Sequence, residues 1–184
     1  MRQAALALAA LATAGLMVAV AGATGARFDP YKSLLASAYP DTALPAAFSS
    51  AKVAAAAPPN GAVGAVEVNV DGPDPKDGVL FVVFKTQAGA AAGLAAAVPT
   101  SPGLAVKISG KVPGHPSSAL YRGTATTTDA LNNATTEGVT YAVVADGNVL
   151  VAGFTYSIYA HSGNPGGAQK LANSGIAHLG KLSG

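Results

Sequence analysis

The chain begins with an apolar stretch whose pattern differs from everything that follows it. Residues 4–20 contain no charge and come directly after a short basic start at Arg2, and small residues of the A-x-A type continue to Ala23. This order is typical of a secretion signal peptide. We therefore predict a cleaved signal peptide over residues 1–23. The alternative is an uncleaved membrane anchor over residues 4–23, which is just long enough to span a bilayer.

The next stretch carries one clear helix start. Asp29 precedes Pro30, an N-cap followed by proline at the first helical position, and apolar residues then recur at helical spacing. We predict a helix over residues 30–38. The alanine-rich residues 45–57 are interpreted as a second short helix or a connector, so that residues 24–60 form a helical N-terminal extension.

From residue 61 onwards the pattern favours strands. Residues 65–70 alternate between apolar and polar, which indicates a half-buried strand, and residues 79–84 are continuously apolar, which indicates a central strand buried on both faces. Asp146-Gly147 between two runs of strand formers predicts a tight hairpin. Further strands are predicted over residues 104–112, 120–128, 138–145 and 148–157, and helices over residues 87–97 and 168–182.

This order of elements indicates a fold class. Strands outnumber the helices that connect them, and at least one connection is a hairpin. We predict an α+β domain over residues 61–184, with a single antiparallel sheet and helices packed on one face. A ferredoxin-like and a Mog1/PsbP-like arrangement both fit the order. The polar, threonine-rich residues 124–128 are predicted to lie at an edge of the sheet.

Composition narrows the classes of function. Only 11% of the 184 residues are charged, the net charge is +2, and the basic residues are scattered singly, which argues against nucleic acid as a partner. The chain has no cysteine and therefore no disulfide, thiolate metal site or thiol nucleophile. The alanine-rich, lysine-poor composition is typical of a bacterium with a GC-rich genome.

Histidines and nearby hydroxyls are the first candidates for chemistry. His115 lies in a predicted loop close to Ser117 and Ser118, and His161 precedes a glycine-rich loop, so we select these four residues as candidates for contact with a ligand or partner. No histidine has a second metal ligand two to four residues away, and we predict no metal site, no cofactor and no catalytic residue. His178, near the end of the last helix, is interpreted as a surface residue.

Carboxylates are the second candidates. Asp71, Asp74 and Asp77 fall three residues apart in one loop, and their spacing does not match a calcium-binding loop, so they are interpreted as a solvated turn. Glu67 is the one carboxylate within a strand pattern, where it falls on the polar side of the alternation. Neither group predicts an acid–base pair.

Together these observations predict an exported domain that binds or interacts without enzymatic activity. We expect it to be secreted, periplasmic or part of the cell envelope, and to meet the membrane only through an uncleaved N-terminal segment. Its partner is predicted to be an envelope or extracellular protein or a small apolar ligand. The alternative function is a secreted hydrolase with a site centred on the His115 loop.

Overall fold

A computed structural model describes residues 29–39, 51–71, 76–97, 103–128, 133–157 and 163–183. These residues form one seven-stranded antiparallel sheet and three helices, which confirms the predicted α+β class and single sheet. The helices are α1 (Pro30–Ala36), α2 (Gln87–Ala96) and α3 (Pro165–Ser183). The strands are β1 (Ala51–Ala56), β2 (Ala62–Val70), β3 (Gly78–Phe84), β4 (Leu104–Gly110), β5 (Ser118–Thr128), β6 (Ala134–Asp146) and β7 (Val149–Ser157).

The strands lie in the order β1-β2-β3-β7-β6-β5-β4, and every neighbouring pair is antiparallel. The first three strands follow one another across the sheet. The connection that contains α2 then leads to the far edge, and β4 to β7 return strand by strand until β7 lies beside β3. The predicted ferredoxin-like arrangement is wrong, because that arrangement consists of four strands in βαββαβ order.

Helices cover both faces of the sheet, which corrects the prediction that they pack on one face. α1 and α3 pack on the face that contains Phe81, through Leu34 and Leu171. α2 packs on the opposite face, where Ala90 contacts the cluster around Phe84. The physical reason lies in β3, which is buried at all seven positions, as predicted, because a strand with two apolar faces needs cover on both sides.

One part of the N-terminal extension, residues 51–56, belongs to the sheet. β1 pairs with β2 along its whole length, from Ala51 opposite Val70 to Ala56 opposite Ala65. The helix predicted over residues 45–57 is therefore wrong for residues 51–56, since pairing with a neighbouring strand outweighs the helix propensity of alanine. The domain boundary predicted at residue 61 falls inside the sheet.

The cap predicted at Asp29 is confirmed, and a second cap lies at Thr86. Asp29 caps α1 by accepting a hydrogen bond from the amide of Lys32 at 3.3 Å, and Thr86 caps α2 by accepting one from the amide of Gly89 at 3.0 Å. Both helices begin at the predicted residues. The signal peptide predicted over residues 1–23 lies outside the described residues. Within the described ranges, no helix has the length and apolar character needed to cross a membrane.

The hairpin between β6 and β7 is confirmed, with its turn one residue later than predicted. Asp146 pairs with Val149, so the turn consists of Gly147 and Asn148, and Gly147 has a φ of +55°. Asn148 also fixes the hairpin to β3, because its side chain donates a hydrogen bond to the carbonyl oxygen of Phe84 at 2.7 Å. The turn is thus held by both local geometry and a distant strand.

The predicted sheet edge at residues 124–128 is wrong for Thr124 and Ala125, which pair with β4 on one side and with β6 on the other. Thr126 to Thr128 pair in register with β6 alone among the described strands, so the prediction holds for the end of β5. Threonine suits such a strand because its branched side chain packs well on a pleated surface. Among the described strands, the edges of the sheet are β1 and β4.

Candidate binding site

The loop between β4 and β5 holds two of the four candidate residues, His115 and Ser117, and a third, Ser118, begins β5 and organises the loop. The Ser118 hydroxyl accepts a hydrogen bond from the amide of Val112 at 2.9 Å and donates one to the carbonyl oxygen of His115 at 2.6 Å. The ammonium group of Lys111 closes the loop by donating to the carbonyl oxygen of Pro116 at 2.7 Å. Ser118 is buried, and its hydroxyl holds the loop.

The imidazole of His115 contacts α3. Its Nε2 lies 2.8 Å from Oδ1 of Asn173, a hydrogen bond that ties the loop to the helix. In this orientation of the amide, Nε2 donates and Asn173 accepts. The ring of His115 thus pairs with an amide, and the hydroxyl of Ser118 pairs with the backbone.

Ser117 lies at a different surface, beside α2. It is exposed and lines a shallow pocket of about 140 Å³, whose other lining residues are Gln87, Ala91, Leu94, Ala145 and Gly147. Pockets that enclose small-molecule ligands are typically about 300–1,000 Å³. His115 and Ser117 thus lie beside helices on opposite faces of the sheet, and His161 lies outside the described residues.

The interpretation of His178 as a surface residue is wrong. Only 5% of it is exposed, and its Nε2 lies 3.1 Å from the hydroxyl of Ser37, which directly follows α1. Burial and, secondly, the charge of Lys181 hold the pKa of His178 below its ordinary value. The ring of Tyr39 lies 4.6 Å from the imidazole, centroid to centroid.

Tyr39 completes this buried polar cluster. Its hydroxyl lies 2.7 Å from that of Ser174 on α3, and burial raises the pKa of Tyr39 to about 12, although the Ser174 hydrogen bond opposes the shift. The cluster joins the residues after α1 to α3. No signal in the sequence indicated it, because Ser37 and His178 are 141 positions apart.

A second polar cluster corrects the solvated turn predicted for Asp77. That residue is only 2% exposed, and its carboxylate accepts a hydrogen bond from the amide of Tyr156 at 2.8 Å. The neighbouring Lys76 forms an ion pair with buried Glu137, and its ammonium group lies 5.7 Å from the centre of the Tyr156 ring. Burial, reinforced by Tyr156, raises the pKa of Tyr141, whose hydroxyl lies 3.0 Å from that of Tyr156.

Neither cluster has the composition of a metal site. Within the part of the chain that the structure describes, no three His, Asp or Glu side chains lie close enough together to hold a metal ion. Glu67 is partly buried on the face that α2 covers, and burial raises its pKa.

The edge strand β4 is the surface that sequence reasoning missed. Ile108 lies on this strand and is 63% exposed, the largest exposure among the large apolar side chains described. The next strand places Tyr121 directly opposite Ile108, and Arg122 directly opposite Lys107. A signal was present in the sequence, since residues 103–128 contain three basic residues and no carboxylate.

Comparison of the chain with family models, with curated proteins and with solved structures finds no match.

Proposed function

We propose that this chain is an exported, non-enzymatic interaction domain of the cell envelope or extracellular space, and that it binds a protein. The observation that carries the proposal is that β4 is an edge of the sheet formed by the described strands and exposes Ile108. An exposed edge strand presents unpaired backbone donors and acceptors, and a large apolar side chain there is a contact surface or an aggregation hazard. Ile108 is such a side chain, since it lies on the edge strand β4 and is 63% exposed.

The size of the pocket supports a protein over a small apolar ligand. The pocket beside Ser117 has a volume of about 140 Å³, and four of its six lining residues, Gln87, Ala91, Ser117 and Gly147, are exposed. A drug-sized ligand buries most of its surface in a larger cavity. The exposed strand, by contrast, suits a partner that approaches from solvent.

The alternative of a secreted hydrolase has less support. A hydrolase centred on the His115 loop requires a base within reach of a nucleophile or an activated water. The ring of His115 pairs with Asn173, and the hydroxyl of Ser118 pairs with backbone atoms of its own loop. The Mog1/PsbP-like arrangement stays a prediction for the fold, supported only by the single antiparallel sheet and its helices.

Cross-linking in the native host tests the protein-partner proposal. A lysine-reactive reagent applied at native abundance should join Lys107 or Lys111 to another protein, and mass spectrometry identifies the joined peptides. Both side chains are exposed. Reproducible absence of any inter-protein cross-link at native abundance would contradict the proposal.

Intact-mass measurement of the protein from its host tests export separately. We expect a species that lacks the segment from Met1 to a cleavage point near Ala23. A mass that still includes Met1 would contradict cleavage and favour the anchor over residues 4–23.

A further inference from the structure

We propose that β4 accepts an extended, acidic segment of a partner protein as an additional strand of the sheet. This inference rests on the proposed function and specifies its surface and the chemistry of its partner. Addition of a strand to an open edge takes affinity from backbone hydrogen bonds and specificity from alternate side chains.

The charge of the β4–β5 hairpin favours an acidic partner. Lys107, Lys111 and Arg122 lie between residues 103 and 128, a range without a carboxylate, so the whole positive excess of the chain is located there. Lys107 and Arg122 are directly opposite each other on neighbouring strands. A carboxylate placed beside Lys107 on an added strand is a favourable cross-strand neighbour. Among the described residues, neither Lys107 nor Lys111 takes part in a salt bridge.

The two faces of β4 define the pattern of the added strand. Leu104 and Val106 pack against the core cluster on the α2 face, and Ile108 follows at the same two-residue spacing. Lys107 lies on the other face together with Ala105. Because side chains alternate between faces, a strand paired with β4 presents apolar residues beside Ile108 and acidic residues beside Lys107.

The opposite edge of the sheet, β1, lacks the combination of positive charge and an exposed large apolar side chain. β1 exposes Lys52, but the strand beside it carries Glu67. The exposed positions of β1 other than Lys52 are alanines, Ala54 and Ala55. β1 therefore offers neither an excess of positive charge nor a large apolar side chain to an acidic segment.

A second copy of the chain is a poorer occupant than an acidic segment. Antiparallel pairing of β4 with itself about Lys107 places two like charges opposite each other. A shift in register separates the two lysines but leaves each without a carboxylate, because residues 103–128 provide none. The charge complementarity thus favours a different, acidic chain.

Peptide titration followed by amide resonances of the isotopically labelled full chain tests this inference. The probe is a synthetic peptide of alternating glutamate and valine with the seven-residue length of β4. One control peptide alternates lysine and valine, and another repeats the probe with every second backbone nitrogen methylated. Lys107→Glu is the test variant, and Lys52→Glu on β1 is its matched control because both lysines are exposed on edge strands.

We expect the glutamate–valine peptide to shift amides of β4 and β5 and to leave those of β1 unchanged. Lys107→Glu should weaken its binding about fivefold, the effect of one cross-strand charge pair, while Lys52→Glu leaves it unchanged. The methylated peptide should not bind, because it cannot complete the backbone ladder.

Four results would overturn the inference. The first is that no amide resonance of β4 shifts with up to about 1 mM glutamate–valine peptide. The second and third are that amides of β1 shift as much as those of β4, and that the methylated peptide binds as tightly as the unmethylated one. The fourth is that sedimentation shows a dimer formed through β4 that excludes the peptide. If host cross-linking finds a protein partner while β4 remains unaffected, the interaction domain stands and this surface is wrong. Absence of any partner in the host contradicts the proposed function itself.

Discussion

Gly153, in the middle of β7, offers the sharpest test of how α3 packs on the sheet. A Cβ atom at this position would overlap the carbonyl oxygen of Ala168 and the amide nitrogen of Ala172, and would lie 3.0 Å from Cβ of Leu171. The first two contacts are with the helix backbone, so no change of rotamer relieves them. Gly153→Ala therefore requires α3 to move away from β7.

The cost follows from what α3 buries. A displacement of about 1 Å forfeits a quarter to a half of the dispersion attraction between the surfaces that separate. Leu171 and Leu179 are both buried in this interface, and burial of each contributes about 2 kcal/mol. With the strain of an overpacked core added, we expect the free energy of unfolding to fall by about 3 kcal/mol. For a domain of this size, that corresponds to a decrease in Tm of about 9 °C.

Urea unfolding followed by far-ultraviolet circular dichroism measures the change, since the chain has no Trp for fluorescence. Gly180→Ala on α3 is the matched control, because a Cβ there meets nothing within 4 Å. It should gain up to about 1 kcal/mol from helix propensity. The reasoning is refuted if Gly153→Ala unfolds within about 0.5 kcal/mol of the natural chain, the usual range for a substitution without a clash.

Three further predictions concern the polar clusters and the hairpin. The native state binds fewer protons at His178 than the unfolded chain, because burial and Lys181 lower its pKa below 6.5. The contribution of His178 to stability should therefore be complete above pH 6.5 and should be lost as the pH falls through the native pKa. His178→Gln should make Tm, measured at several pH values, depend less on pH in this range. Lys76→Ala should cost about 2 kcal/mol in urea unfolding because it leaves buried Glu137 without its ion-pair partner, whereas an unchanged midpoint would contradict the pair. Asn148→Ala should cost about 1 kcal/mol by removing the hydrogen bond to the carbonyl oxygen at the end of β3, and circular dichroism that shows no loss would contradict that contact.

The parts of the fold that the sequence predicts are those decided by neighbouring residues. The apolar run of residues 79–84 has enough strand formers to indicate a buried strand, and caps such as Asp29 and Thr86 depend on residues three positions away. The hairpin depends on a glycine with positive φ at residue 147. These features need no knowledge of the distant chain.

The parts that the sequence does not predict depend on distant partners. Residues 51–56 are alanine-rich and become a strand only because β2 lies alongside. The side on which α2 packs is hidden because the helix consists mostly of alanine and glycine, which give no polar face to orient it. The burial of His178 requires a serine 141 positions away.

The candidate site shows the same division. The loop that contains His115 is predicted correctly as a loop, but its local pattern does not reveal that the ring turns to Asn173 on α3. The sequence pattern predicts an exposed edge at the threonine-rich residues 124–128. Which strand lies on the outer side of β5 depends on the order of strands in the sheet, and the local pattern does not show that order. The absence of carboxylates from residues 103–128 was the one signal in the sequence that pointed to β4.

Site-specific photo-cross-linking in the native host tests the central claim most directly. A photoreactive residue replaces Ile108 on β4 in one variant and Ala54 on β1 in the other, since both positions are exposed on edge strands. We expect the photoreactive residue at position 108 to form a cross-link with one distinct protein at native abundance, and the photoreactive residue at position 54 to form none. Capture of the same protein at both positions, or of none at Ile108, would contradict an interaction domain that binds through β4.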